Sequence, residues 1–500
     1  MSLHAQLSPE AQARLHAQQR NSTITSIIIS ILTVLLIGII LLYLLLPQID
    51  NYTPEIVSYQ AGAEDKDKVT KREMTRAVER KPSAPSSSMA KVIAANTTSP
   101  TAVPVPEVDV PDPSTDFGNG DDFGDGWGNG DGDGGGGGFG NIPATMRERC
   151  SKDDRLNRLA QNGGNEQCEE AVLKALRWLK KTQKPDGSWG SQYKVAMTGF
   201  ALLAFLGHCE TPNSEEFGDA VTRGIVYLVN VNMKNKGKMA SDFKGHWSYE
   251  HGIATYALGE ATTFCIKLGI NIPKLKEATK AAGDFILEHQ NKNGSWTYKY
   301  EMSGGHTDNS IGLWQIQALK ACKHTDMWDE KAFKGVIREA LDYIKGCQDS
   351  RGGIGYANSS GRPDDVGWTM TGAGMLAFQM WGKSHDSVVR KGAHHIRKNT
   401  KFEYNGAHAD LYRHYYHAQA MMNRGGAEWD FYNQLFRDQL LKNQNADGTW
   451  KNVGGGAKIK GVATTYAGGS ETAVLYRTCL ATFMLEVYYR FLPATGAKTR

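Results

Sequence analysis

The sequence has few cysteines, a small net charge and no sustained alternation of polar and apolar residues. Its seven cysteines are scattered through 500 residues, and no two of them are separated by only two positions. This spacing excludes a zinc ribbon or a disulfide-stapled scaffold and predicts buried free thiols with one or two bridges at most. The net charge is only +4, so no nucleic-acid partner is expected. The lack of strand patterns excludes a β-propeller.

One long hydrophobic run is present, from Ile24 to Leu46, and it contains no charged residue. A helix of this length reaches about 34 Å and can span a hydrocarbon core of about 30 Å. The run ends in leucines and Pro47 rather than in small residues, which favours a signal-anchor over a cleaved signal peptide. Arg14 and Arg20 precede the run, so residues 1–23 are predicted to be cytoplasmic and the rest periplasmic or extracellular.

Residues 47–141 read as a disordered linker. The stretch 81–113 is rich in Pro, Ser and Thr, and residues 116–140 consist mainly of Gly and Asp. Such a segment cannot bury enough apolar surface to offset its ordering entropy. The Gly/Asp tract is interpreted as a flexible tether. Alternatively its carboxylates bind Ca²⁺, or its four aromatic residues contact a partner: Phe117, Phe123, Trp127 and Phe139.

A repeated motif predicts the fold of residues 142–495. An aromatic or aliphatic helix end is followed by Gln and, after three intervening residues, by Gly-x-Trp or a relative; the four glutamines are Gln183, Gln290, Gln348 and Gln444. The outer two gaps between them are nearly double the middle one, and degenerate units fill these gaps at Asn232 and Thr400. Six units of about 50 residues result, each with two amphipathic or apolar helices joined by a glycine turn.

The second helix of each unit is the more apolar one. These six helices are predicted at residues 195–207, 253–267, 310–323, 367–381, 412–422 and 471–490. We expect them to form a buried inner ring, with the more charged helices outside. The fold class is therefore all-α, an (α/α)₆ toroid of six helical hairpins around a central hollow, preceded by one transmembrane helix and a linker.

The Gln-x₃-Gly-x-Trp element resembles the repeat of squalene-hopene and oxidosqualene cyclases, whose toroid fold is also found in prenyltransferase β-subunits and complement-like thioester domains. The resemblance covers about Cys168 to Leu492. It implies that the Gln ties helix ends, the Gly turns the chain and the Trp packs against a neighbouring unit. It also implies a ligand site where the inner helices begin.

The catalytic motifs of these relatives are not met. The acid cluster of the cyclases is approached only by Asp364 and Asp365, which also suit the N-cap of a following helix. Asp308 stands where a prenyltransferase zinc ligand would, but Ser310 occupies the position of the required Cys. The thioester motif is also absent, since the residues around Cys168 have the wrong order.

Polar and aromatic residues near the inner-helix starts supply the candidate site. Asp308, Asp364 and Asp365 are the candidate catalytic acids, because a glycoside hydrolase needs two carboxylates about 5–10 Å apart. The candidate ligand-binding residues are His246, Trp247, Tyr249, His251, His306, Trp368 and Tyr412.

A possible zinc site forms a separate hypothesis. Asp410, His414 and His417 fall on one face of a predicted helix, close to His408. Two imidazoles and a carboxylate suit Zn²⁺ with an open fourth position. The alternative is an N-cap Asp with histidines packed against the neighbouring tyrosines.

Two functions remain open from the sequence. The first is a membrane-anchored extracytoplasmic toroid without a catalytic motif that binds a peptide, glycan or lipid, or joins a membrane assembly with partner proteins. The second is an enzyme, either cyclase-like or carbohydrate-active, that uses an acid pair or a His/Asp metal site. The many charged side chains near the inner-helix starts argue against an apolar terpene cavity.

Overall fold

A computed structural model describes residues 149–357, 369–460 and 465–490. The predicted membrane span, the linker, Asp364, Asp365 and Trp368 lie outside these residues. No helix in the described part of the chain is both long and apolar enough to cross a membrane.

The described residues form thirteen α-helices and no strand. In chain order these are α1 Lys152–Gln161, α2 Glu166–Thr182, α3 Lys194–Gly207, α4 Gly218–Lys234, α5 Trp247–Leu268, α6 Leu275–Glu288, α7 Asn309–Lys323, α8 Lys331–Gly346, α9 Thr371–Met380, α10 Ser387–Asn399, α11 Leu411–Arg424, α12 Gly426–Lys442 and α13 Glu471–Arg490. The prediction of an all-α chain is confirmed for this region.

Six hairpins follow one another, and their contacts close a circle. The odd-numbered helices from α3 to α13 each contact the next, and α13 contacts α3 in turn. The even-numbered helices from α2 to α12 lie outside, and each contacts at least one of the inner helices. Burial agrees with this arrangement, because α3 is buried on nearly every residue whereas α2 is buried along one face.

Inner-helix boundaries follow the prediction closely at some units and less closely at others. Helix α13 spans the predicted residues, whereas α5 begins at Trp247, six residues before the predicted start. Helix α9 begins only at Thr371, with Met370 at its N-cap. Asp364 and Asp365 lie outside the described residues, so the N-cap role that the sequence suggested for them stays a prediction.

The repeated glutamines join neighbouring hairpins. Gln183 Nε2 donates to the carbonyl of Gly187 in its own turn at 3.0 Å and to Ala220 of the next outer helix at 2.8 Å. The other three make the same two bonds, and Gln444 reaches back to Ala171 of the first hairpin at 2.7 Å. The last motif thus closes the ring onto the first.

The glycine and tryptophan of the motif have equally regular surroundings. Gly187 has φ +85°, and a Cβ there would lie 2.4 Å from the carbonyl oxygen of Arg223 in the next outer helix. Only glycine fits both constraints. Trp189 donates its indole N–H to the Leu179 carbonyl at 2.7 Å and lies against Gly224 of the next unit. The structural roles that the resemblance implied are confirmed.

Aromatic side chains cross the axis of the ring. The ring centroids of Phe200 on α3 and Trp314 on α7 are 5.4 Å apart, although α5 lies between these helices in the circle. Trp314 is 5.9 Å from Tyr415 on α11, which is 5.4 Å from Phe483 on α13, and Phe483 is 6.0 Å from Phe200. At this level the predicted central hollow is filled. We call these four residues the axial aromatic layer.

The axial aromatic layer separates two ends of the ring. We call the end where the inner helices begin the mouth and the end where they finish the base. At the base, Cys150 is joined to Cys209 by a disulfide, and the preceding Arg149 is buried within the ring. The five other described cysteines are buried free thiols, which confirms the prediction of few bridges.

Arg149 joins three charged side chains of the inner helices. It lies 3.4 Å from Glu260 on α5, and Arg490 on α13 lies 3.1 Å from the same carboxylate. Arg490 also contacts Glu486 at 3.4 Å. We call Arg149, Glu260, Glu486 and Arg490 the base cluster. Each is almost fully buried, so their mutual pairing offsets a large desolvation cost.

Candidate functional site

The carboxylate of Asp308 organises one side of the mouth. It is the N-cap of α7, and its Oδ1 accepts the backbone N–H of Ile311 at 3.0 Å and the hydroxyl of Ser310 at 2.5 Å. Its Oδ2 accepts the hydroxyl of Tyr298 at 2.7 Å. Tyr249 forms a further hydrogen bond with Ser310. Asp308 is therefore a well-bound structural acceptor that also holds three hydroxyl groups in place.

Aromatic rings stack in front of this carboxylate. The centroid of Tyr298 lies 3.8 Å from that of His246 and 5.5 Å from that of His306, with nearly parallel planes in both pairs. His306 is 60% exposed and its Nε2 lies 3.6 Å from Asp308 Oδ2. We call His246, Tyr298 and His306 the mouth stack. It presents partly exposed ring faces beside anchored hydroxyl groups.

Two of the predicted ligand residues are structural instead. His251 is buried, accepts the N–H of Met239 at 3.0 Å and lies 3.2 Å from the Ala282 carbonyl. Burial lowers its pKa to about 3, so it stays neutral and held by backbone groups. Trp247 is also buried, packed 4.8 Å from Tyr300.

Tyr412 connects the mouth to the axial aromatic layer. Its hydroxyl accepts the indole N–H of Trp314 at 3.1 Å and lies 3.4 Å from the Ser310 carbonyl oxygen. Tyr412 itself is 4% exposed. It is therefore part of the floor of the mouth, whereas Tyr249 is half-buried at its edge.

Asp410 is the second carboxylate at the mouth. It is the N-cap of α11, and its Oδ1 accepts the N–H of Arg413 and the hydroxyl of Tyr466 at 2.8 Å. Its Oδ2 has no hydrogen-bond partner among the described residues and lies 3.8 Å from the Arg413 Nε. Burial raises the pKa of Asp410, although Arg413 and Tyr466 oppose the shift.

The three predicted zinc ligands do not share a binding point. His414 Nδ1 lies 2.6 Å from the Tyr432 hydroxyl, and its Nε2 lies 3.2 Å from the His408 carbonyl. Burial lowers the His414 pKa to about 3. His417 is fully buried, 6.0 Å away between ring centroids. Within the described ranges no group of three His, Cys, Asp or Glu residues could hold a metal ion. The geometry therefore matches the N-cap alternative.

Several mouth residues were not anticipated from the sequence. Tyr298, Tyr356 and Tyr466 all approach the two carboxylates, and the proximity of Asp410 and Asp308, together with burial, raises the pKa of Tyr356. A signal for Tyr298 was present, because it comes two residues after the motif Trp296 and shares a loop with Asp308. No comparable pattern marks Tyr466.

The comparisons with known proteins concern the fold. No protein-family model matches the chain. The squalene–hopene cyclase of Zymomonas mobilis is 23% identical over 288 residues, which is 47% of this chain and 40% of the cyclase. The chain thus spans about two fifths of the length of this curated relative.

Solved structures of the type II terpene cyclase MstE from Scytonema are similar over much of this chain. The complex with merosterolic acid A gives a TM-score of 0.44 at 11% identity over 68% of this chain and 100% of that chain. The apo structure gives 0.43 over 65% of this chain and 99% of that chain, again at 11% identity. The ring of six hairpins and the curated relative together support a terpenoid-cyclase-like helical fold.

Proposed function

We propose that this chain is a membrane-tethered, extracytoplasmic binding protein that captures a glycan at the mouth of its ring. The observation that carries the proposal is the contrast between the filled axis and the exposed mouth stack. Side chains of the axial aromatic layer occupy the axis where a cyclising chain would have to fold. The exposed side chains of His246 and His306 at the mouth remain accessible to a ligand.

The chemistry of the mouth stack suits a hydroxylated ligand. His306 is an exposed ring stacked on Tyr298, and the polar groups of both side chains lie against the Asp308 carboxylate. Recognition sites of this kind combine aromatic surface with a few oriented polar groups. Both oxygens of the Asp308 carboxylate already accept hydrogen bonds, from the N–H of Ile311 and from the hydroxyl groups of Ser310 and Tyr298. We therefore infer that Asp308 orients these hydroxyl groups and does not transfer a proton.

Binding is tested with the full chain in lipid nanodiscs against a set of cell-envelope glycans. His306→Ala and Tyr298→Ala should each weaken binding about tenfold, which corresponds to about 1.4 kcal/mol. His385→Ala, an exposed histidine at the base, is the matched control and should bind normally. Unchanged affinity in both mouth variants, or binding only to peptides or lipids, would contradict the glycan assignment.

The Cys150–Cys209 disulfide supports the extracytoplasmic location. Structural disulfides persist in oxidising compartments and are rare in the cytosol. The uncharged run at residues 24–46, with arginines before it, supplies the proposed anchor. In intact cells the two cysteines should resist alkylation until a reductant is added. Ready alkylation without a reductant would place the ring in the cytoplasm.

A second candidate function is acid catalysis by Asp410. Its buried carboxyl has a raised pKa and an oxygen without a hydrogen-bond partner among the described residues, and the curated relative is a squalene–hopene cyclase. Incubation of the full chain with squalene would then give cyclised product, lost in Asp410→Asn. No product from the unaltered chain, with the fold verified by circular dichroism, excludes this candidate.

A further inference from the structure

Two neighbouring loops at the mouth carry a concentration of lysines. Residues 235–246 and 289–308 together contain five lysines and three acidic residues, one of which, Asp308, is buried. No described acidic side chain forms an ion pair with any of these lysines: Lys236, Lys238, Lys244, Lys292 and Lys299. The loops are adjacent, because His246 of one stacks on Tyr298 of the other.

Exposed apolar side chains lie among these lysines. Phe243 is 41% exposed and Met302 is 53% exposed, and both belong to the same two loops. Lys238 Nζ lies 5.1 Å from the Phe243 ring centroid. We call these two residues and the five lysines the basic rim. A surface that combines unpaired cations with exposed apolar groups is matched by a polyanion that carries aromatic side chains.

The chain itself contains a segment of this composition. Residues 116–140 include six aspartates, three phenylalanines and one tryptophan, and no lysine or arginine. We propose that this Gly/Asp tract docks on the basic rim of its own ring, with aspartates facing the lysines and aromatic side chains covering Phe243 and Met302. The tract would then be an internal ligand beside the mouth stack.

The distances permit this docking. The chain enters the ring at Arg149, at the base, and Trp127 lies 22 residues earlier. An extended segment of that length reaches about 75 Å, whereas an inner helix such as α3 is about 21 Å long. A covalent tether of this kind gives an effective concentration in the millimolar range, so that even weak exposed ion pairs are populated.

Zero-length carbodiimide coupling of the full chain, read by mass spectrometry, tests the proposal. Aspartates of residues 116–133 should couple to basic-rim lysines about tenfold more than to exposed lysines near the base, such as Lys276, Lys331 and Lys334. The yield should fall in 0.5 M salt, because screening weakens exposed ion pairs. Equal coupling to both lysine sets would overturn the proposal.

Variants that leave the reacting groups intact separate docking from simple charge attraction. Replacing the four aromatic residues of the tract by Ser, or Phe243→Ser in the basic rim, should reduce rim coupling several-fold while every carboxylate and lysine is retained. Unchanged coupling in both would overturn the proposal. Coupling mainly between isotopically distinct copies would also overturn it, because the tract would then bind a second chain. Loss of coupling on addition of phosphatidylglycerol vesicles would overturn it too, because the basic rim would then bind a membrane surface.

Discussion

The two ends of the ring use charged residues in opposite ways. At the base, Arg149, Glu260, Glu486 and Arg490 are buried and paired with one another. At the mouth, the basic-rim lysines are largely solvated, and His246 and His306 of the mouth stack are exposed. Removing the Glu260 carboxylate would leave buried guanidinium groups without their shared acceptor, whereas exposed cations act mainly in recognition. We therefore expect the base to contribute mainly to stability, and we propose the mouth as the binding surface.

The surface charge of the loops follows the same division. Two base loops, residues 208–217 and 324–330, contain six acidic residues and no lysine or arginine. Three of these acids pair with cations of adjacent helices, as Glu216 does with Arg177 at 2.8 Å. An anionic partner would therefore approach the mouth rather than the base, in keeping with the long range of electrostatic steering.

The largest effect is expected from Glu260→Gln at the base. The change leaves Arg149 and Arg490 buried without the carboxylate that they share, and breaking a buried pair costs about 3–5 kcal/mol. Urea unfolding of the full chain measures the loss. Glu301→Gln, which removes an exposed carboxylate at the mouth, should change stability by less than about 0.5 kcal/mol. Similar losses in both variants would contradict the comparison.

Removing the disulfide should cause the next largest loss of stability. Cys150 and Cys209 are separated by 59 residues, and a bridge across a loop of this size typically contributes about 2–4 kcal/mol. The double variant Cys150→Ser, Cys209→Ser should lose this stability but keep its affinity for ligands at the mouth. Loss of binding at a temperature where the variant remains folded would show that the two ends are coupled.

Replacing Glu486 should change the thermal stability by a moderate amount that depends on pH. Burial raises its pKa to about 8, so the folded chain holds a proton that the unfolded chain releases near pH 4.5. Stability contributed by this group is present below the unfolded pKa and is lost as the pH rises towards 8. Glu486→Gln stays neutral and should raise Tm by about 3 °C at pH 8.5, but not at pH 5.

Glu260 provides the contrast for that experiment. Arg490 and Arg149 outweigh the effect of burial and lower the Glu260 pKa. Its contribution is therefore lost as the pH falls, not as it rises, and Glu260→Gln should be most destabilising above pH 5. Opposite pH profiles for the two glutamine variants would confirm their different roles. Parallel profiles would contradict the pairing described for the base cluster.

The smallest expected change in stability is a gain, and it concerns Tyr193. Tyr193 at the mouth has φ +52° and is 55% exposed, a backbone conformation that costs an aromatic residue about 1 kcal/mol. Tyr193→Gly should relieve this strain and stabilise the chain by about 0.5–1 kcal/mol in urea unfolding. A clear loss of stability would show that the Tyr193 side chain contributes packing at the mouth.

The ring could be predicted from the sequence because its motif is local and periodic. Gln183, Gly187 and Trp189 lie in the short connection between the two helices of the first hairpin, and the same spacing recurs in three later hairpins. Helix α13 was predicted from end to end because its twenty residues are mostly apolar and contain no Gly or Pro.

The site was harder to predict because its contacts are distant in sequence. Helical spacing places His414 and Asp410 on one face, but it does not reveal that Tyr432 and the His408 carbonyl occupy both imidazole nitrogens. The base cluster had no sequence signal, since Arg149 and Arg490 are 341 residues apart. Pairing of buried charges depends on which helices meet, and periodicity does not specify that.

The hydrogen bond from Gln444 to Ala171 limits how such a chain can gain or lose helical repeats. An open array of helical repeats can gain or lose a unit at either terminus and keep its remaining neighbour contacts. A circle has no terminus, so a seventh hairpin would have to separate α13 from α3 and displace the Gln444 bond. We therefore expect insertions in the connecting loops rather than additional hairpins, because the ring of inner helices is closed.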